Sequence, residues 1–193
     1  GWDWQLRAAW EQGEAYLHPF YLQSGPVLHA QGQVGAEQVR IETASLAMEG
    51  VQQLALSASL RRGGFVLDRL AVSLANGDLA VLGPRWLAPL LAPALVERLR
   101  FAGSMSAGLT IDAGVLTGLD VVFDQAGVSL AGAAGDRGLA FGPVSGHVPW
   151  QAKAQTQADL RIEGGRWEAL SLGAFDVRAR LEGGQVVFSP TRV

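Results

Sequence analysis

Apolar and polar residues alternate with a period of two along most of this chain. Trp2, Trp4, Leu6, Ala8 and Trp10 fall on one face of a strand whose other face carries Asp3, Gln5 and Arg7. The same pattern returns in Leu54, Leu56, Ala58 and Leu60, in Leu70, Val72 and Leu74, and in Thr156, Ala158, Leu160 and Ile162. It appears again in Phe175, Val177, Ala179 and Leu181, set against Asp176, Arg178, Arg180 and Glu182. Side chains of a strand point alternately to its two faces, so each run predicts a strand with one apolar and one wet face. Parallel strands buried on both faces would read as unbroken apolar runs, so the pattern predicts a mostly antiparallel meander. Gly63-Gly64, Gly164-Gly165 and Gly183-Gly184 each lie between two such runs and supply the residues that hairpin turns favour. About a dozen strands of roughly five to eight residues are expected.

One segment breaks the period. Pro84 to Arg100 is rich in Leu and Ala, and Trp86, Leu87, Leu90, Leu91, Leu95 and Val96 leave it apolar around most of its circumference. Pro84, Pro89 and Pro93 predict a broken helix or successive helical turns in place of one straight rod. Two roles stay open for it: folding over a sheet to complete a core, or plugging a groove.

An internal repeat also emerges. Leu60 to Val66, Leu109 to Leu116 and Leu160 to Trp167 each read as strand, glycine turn and short strand, with their turn glycines 64, 114 and 165 about fifty residues apart. A partial fourth copy runs from Leu181 to Phe188. Chance recurrence of glycine pairs in a β meander is the plain alternative.

Composition narrows the function classes. The chain has 193 residues, is 49% hydrophobic and only 17% charged. So apolar a composition excludes a disordered segment. Net charge is −3 and the 15 basic residues are scattered, so no basic stripe exists to follow a nucleic-acid backbone. With no Cys, disulfides, thiolate catalysis and cysteine metal sites are absent. The longest apolar run, Trp86 to Val96, is too short to span a bilayer.

Catalytic patterns are missing too. His18, His29 and His147 have no partner at metal-ligand spacing. Around Ser145 the Gly142-Pro143-Val144-Ser145-Gly146 run lacks the strand-to-helix context of a nucleophile elbow, which makes Ser145 a turn residue. Asp112, Asp120 and Asp124 read as solvated charges on wet strand faces. The six Trp admit two readings. Aromatic rings spaced by two on an exposed sheet can stack on sugars, whereas core filling is the plainer use of such large side chains.

Amphipathic strands, glycine turns introducing G-x-x-x-x-L segments (Gly114 to Leu119, Gly165 to Leu170) and a Pro- and Leu-rich helical insert together resemble the periplasmic AsmA-like proteins, closest to the TamB, YhdP and YdbH types. The resemblance implies a long curled sheet with an apolar concave face, which carries phospholipids between inner and outer membranes. It also implies a bacterial parent protein anchored in the inner membrane, of which this chain is an internal or C-terminal fragment.

The expectation is thus an all-β, mostly antiparallel, elongated and curled sheet in one domain over 1–193, with a helical insert at about 84–100. Trp2, Trp4, Leu54, Leu56, Leu70, Val72, Leu160, Ile162, Phe175 and Val177 are candidates for a lipid groove or a core. Trp86, Leu87, Leu90, Leu91 and Leu95 are candidates for a helical plug. No enzyme activity, catalytic residue, metal or cofactor is expected. The expected partner is a phospholipid or other acyl lipid, with membrane contact through parts of the parent protein and with envelope proteins as further partners. A closed β-sandwich that binds carbohydrate or scaffolds a secretion system is the alternative.

Overall fold

A computed structural model describes residues 1–18, 20–23, 25–64, 66–130 and 138–189. The fold is mostly antiparallel β, an open curled sheet with one short helical segment. Its strands are β1 (Trp2–Ala9), β2 (Glu14–Leu17), β3 (Phe20–Gln23), β4 (Val27–Val34), β5 (Gln38–Met48), β6 (Val51–Arg61) and β7 (Val66–Asp78). After the helical segment come β8 (Leu99–Asp112), β9 (Val115–Leu130), β10 (Leu139–Gln151), β11 (Thr156–Ile162), β12 (Gly165–Trp167), β13 (Leu170–Leu172), β14 (Phe175–Glu182) and β15 (Gln185–Phe188). The main sheet runs β1-β4-β5-β6-β7-β8-β9-β10-β11-β14-β15, with β12 and β13 attached beside β10. Hairpin β2–β3 forms a separate small sheet.

Several strands are longer than the alternation suggests, up to 16 residues in β9. Bulges explain the difference. In β5 the apolar set steps from Ile41 to Ala44 across an extra residue, yet both face the same way, opposite Ala58 and Leu56 of β6. Sequence alternation breaks there while the strand continues. A diagonal of such irregularities crosses the sheet at Asn76 of β7, Gly103 of β8, Gln125 of β9 and the Gly142-Pro143 step of β10. Two of the displaced N–H groups are accepted by serine hydroxyls of the next strand: Asn76 N–H by Ser106 Oγ at 3.0 Å, and Gln125 N–H by Ser145 Oγ at 3.1 Å. Ser145 is therefore a strand residue that braces a bulge, not a turn residue.

The repeat reading changes as well. Gly64, Gly114 and Gly184 have positive φ and sit in tight turns at one end of the sheet. Gly165 does not. Val144 of β10 pairs with Ile162 and Phe141 with Gly165, so the chain runs straight on past Gly164-Gly165 along the same neighbour. The reversal comes at Glu168-Ala169, between β12 and β13.

The two ends of the sheet differ. Tight connections join β4 to β5, β8 to β9, β10 to β11 and β14 to β15 at one end. Hairpin β2–β3, the helical segment and the β12–β13 hairpin all lie at the other.

No second sheet covers the main sheet among the described residues, and no large side chain there is fully buried. The accessible surface is 12634 Å². A compact monomer of this chain's mass exposes about 8800 Å², so one layer is missing relative to an ordinary domain. A closed sandwich is not the architecture of the described residues. The small cluster that is buried, Ala158, Ala179 and Leu181 with Val148 and Trp150 against it, sits where the sheet curls between β10 and β14.

Candidate functional site: an unpartnered apolar face

Register pairing converts the alternation into continuous rows. Directly opposed residues share a face. One row runs Leu6, Ala30, Ala44, Leu56, Val72, Leu109, Leu119 and Trp150 from β1 to β10. A second runs Ala8, Leu28, Leu46, Leu54, Leu74, Ala107, Val121 and Val148. On the other flank Trp4 pairs with Gly32, which pairs with Ile41, and the line continues through Ala58, Leu70 and Ile111. Beyond β10, Val144, Ile162 and Phe175 align, as do Gly146, Leu160 and Val177. All ten groove-or-core candidates lie on this face. None of the aligned residues carries a charge.

A cavity of about 540 Å³ lies over β5 to β10, lined by Ala44, Leu56, Val72, Leu109, Leu119 and Trp150 and also by residues of the opposite face on the same strands, among them Glu42, Ser57, Ser73, Thr110 and Asp120. Because β5 and β10 line the same space although four strands lie between them, the sheet bends around it. Toward the β1 edge the face opens: Trp2 is 82% exposed, while Trp4 lies half-buried over Gly32.

The helical segment covers one end of the face. It comprises α1 (Leu79–Leu82), a π-helical turn at Gly83–Leu87, α2 (Ala88–Leu91) and a 3-10 turn at Pro93–Leu95. It begins before the expected Pro84, because Asp78 caps α1: its carboxylate accepts from Ala80 N–H at 2.8 Å, the usual role of an acidic residue at a helix start. It ends earlier too, since Leu99 and Arg100 already belong to β8. Leu82 packs where a Cβ on Gly77 would come within 2.8 Å, beside Leu74 of the apolar face. Gly83 abuts the Phe101 ring, and Val81 lies against Gly50 of the β5–β6 turn. Arg85 reaches Glu49 of the same turn at 2.9 Å.

The plug candidates thus divide. Trp86, Leu87 and Leu95 are half-buried, Leu90 is 60% exposed, and the side chain of Leu91 lies outside the described residues. The buried members of the segment are Leu79, Leu82, Gly83 and Ala88. Sequence reasoning missed the first three because they precede Pro84.

The opposite face is wet and charged. Cross-strand pairs lace it: Arg178 with Asp159 at 3.1 Å, Arg161 with Asp176 at 2.9 Å, and His147 with Asp120 at 2.9 Å. Asp112 accepts from the Thr117 hydroxyl at 2.7 Å and faces Arg69 at 3.7 Å. These carboxylates are thus held by neighbours across the sheet. Among the described residues no group of three or more His, Asp or Glu is placed to hold a metal ion.

Sequence alone does not single out Ala44, Leu109, Leu119 and Trp150 as site residues. A signal for two of them is present in Leu109-Thr110-Ile111 and Leu119-Asp120-Val121, runs that the repeat picks out for another reason. No family model, no curated protein and no solved structure matches this chain.

Proposed function

We propose that this chain is a segment of a bacterial envelope protein that shields acyl chains of phospholipids or similar lipids as they pass between inner and outer membranes. Its parent would belong with the AsmA-like proteins and be held in the inner membrane by parts outside this chain. One observation carries the reading: an apolar face with no charged residue along its aligned rows runs across the sheet, and among the described residues no second sheet covers it, the helical segment lying over one end alone. Apolar surface left in water costs about 25 cal/mol per Å², so a face of this extent calls for a covering. Lipid tails supply one without any polar constellation. They need no catalytic group, and a smooth apolar wall lets them slide.

The test is lipid extraction and native mass spectrometry of the protein purified from a Gram-negative host without detergent. Acyl lipids are expected to co-purify, and Leu56→Asp, which puts a charge in the middle of the face, is expected to lose them. A lipid-free protein that instead binds glycans through its exposed Trp residues would overturn the reading in favour of a carbohydrate-binding module.

A further inference from the structure

Among the described residues the main sheet ends at β1 on one side and at β15 on the other. A free edge presents unpaired backbone N–H and C=O groups to any second strand, and shortness, bulges, lysine and proline are the usual protections. β15 is short, at four residues. β1 has none of these protections. It runs for eight residues, Trp2–Ala9, without Lys or Pro, and pairs with β4 in unbroken register.

Hydrogen bonds just beyond the strands fix which groups face outward. Trp10 N–H donates to the Pro26 carbonyl at 3.0 Å, continuing the register that pairs Ala8 with Leu28. Bonded residues alternate along an antiparallel strand, so Trp2, Trp4, Leu6 and Ala8 turn their backbone groups toward β4. Asp3, Gln5, Arg7 and Ala9 turn theirs to the open edge. Gly35 N–H, donating to the Gln38 carbonyl at 2.8 Å, gives the same phase from the far side of β4, since it leaves Val34 to bond Trp2.

The charges of β1 are unmatched within the chain. Farther along the sheet Arg178 lies opposite Asp159 and Arg161 opposite Asp176, each as an ion pair. Asp3 and Arg7 lie opposite Gln33 and His29, neither of which bears the complementary charge, and neither forms an ion pair among the described residues. A second β1 laid antiparallel along the first supplies the match. A two-fold axis at Gln5 sets Asp3 of each copy against Arg7 of the other, through residues whose backbone groups face outward. The same register sets Trp4 against Leu6 and Trp2 against Ala8 at the closer, non-bonded positions. A shift of two residues in either direction loses both ion pairs.

We propose that two copies of this chain pair edge to edge through antiparallel β1 strands, with the two-fold axis at Gln5. The outward residues Asp3, Gln5 and Arg7 of the two copies exchange about six backbone hydrogen bonds. The axis stands perpendicular to the sheet, so both apolar faces lie on one side and the apolar rows of one copy run on into the other.

The test is sedimentation velocity of the delipidated, detergent-free protein from about 1 to about 100 μM, the span in which a modest interface dissociates. A monomer–dimer equilibrium is expected, and on dilution β1 is again a free end of the sheet. Gln5→Pro removes an outward N–H that β4 does not use, so it is expected to leave a monomer of unchanged melting temperature. Asp3→Arg sets arginine against arginine twice across the axis and is expected to weaken association at least about fivefold. Adding Arg7→Asp to it is expected to restore association. The chain has no Cys, so Gln5→Cys introduces its only thiol. Opposed bonded residues have Cα atoms about 5.5 Å apart, within disulfide reach, so copper phenanthroline is expected to link the copies. Asp3→Cys, roughly 14 Å from its counterpart, is expected not to link. A monomer throughout the range overturns the proposal. So does a dimer that survives Gln5→Pro and resists linking at Gln5→Cys, which is stacking of apolar faces. Open-ended growth, the result of head-to-tail pairing of β1 with β15, also overturns it. A charge swap that fails to restore association overturns the register. Lipid shielding is read separately, from co-purified lipid, and stands or falls without this dimer.

Discussion

At Gly103 the backbone has φ of 78°, and a Cβ there would overlap the Gln125 carbonyl of the neighbouring strand. Gly114 has the same φ but open space around it. The pair separates conformational strain from close approach. Gly114→Ala is expected to cost about 1–2 kcal/mol from its left-handed backbone alone. Gly103→Ala adds the overlap and should cost at least ~2 kcal/mol more. Urea unfolding of the two variants checks this, and equal losses would show that the strand crossing at Gly103 is loose. The serines beside it act more gently, since Ser106→Ala and Ser145→Ala each remove an acceptor from a bulge N–H. Each should cost about 0.5–1.5 kcal/mol. None of these roles was legible in the sequence, because a bulge is a property of two strands in register. Ser145 among glycine and proline reads as a turn until its partner Gln125, 20 residues away, is known.

The helical segment shows the same division at the scale of elements. Its existence and its prolines were readable, but its anchor was not, since Leu79 and Leu82 look like the tail of β7 until Asp78 caps the first turn. Burial then decides which substitutions matter. Leu82 is 8% exposed and Leu90 60% exposed. Leu82→Asp places a charge between Leu74 and Gly77 and is expected to cost ~3 kcal/mol or more, whereas Leu90→Asp should change stability by about 0.5 kcal/mol or less. Thermal melts followed by circular dichroism compare them. Equal effects would mean that the segment is not docked through α1. The Arg85–Glu49 pair is partly solvated, so Arg85→Ala should cost no more than ~1 kcal/mol. Docking through apolar contacts at one end of the face, with the rest of the face uncovered, makes the segment a partial cover and not the missing layer.

For the whole molecule, the yardstick is a compact domain of the same chain length, whose radius of gyration is about 16 Å. A single curled layer of eleven main-path strands must exceed it, and small-angle scattering at the compact value would contradict the open sheet. The fold class was legible because strand alternation survives in most runs, and the curl was expected through the family resemblance; the bulges and the packing at Ala158, Ala179 and Leu181 that accompany it were not legible. The order of pairing has a further effect, on cooperativity. Nearly every main-sheet strand pairs with its neighbours in sequence, and no second layer among the described residues ties distant strands together. Contacts of that kind make a quasi-one-dimensional system, in which stability is close to a sum of neighbour terms and unfolding proceeds inward from free ends. Unfolding of the unliganded protein should then depart from two-state behaviour, with different probes giving different midpoints. Amide exchange would be slowest in β7, β8 and β9 and would quicken step by step toward β1 and β15, a gradient that a molecule with one closed core would not show.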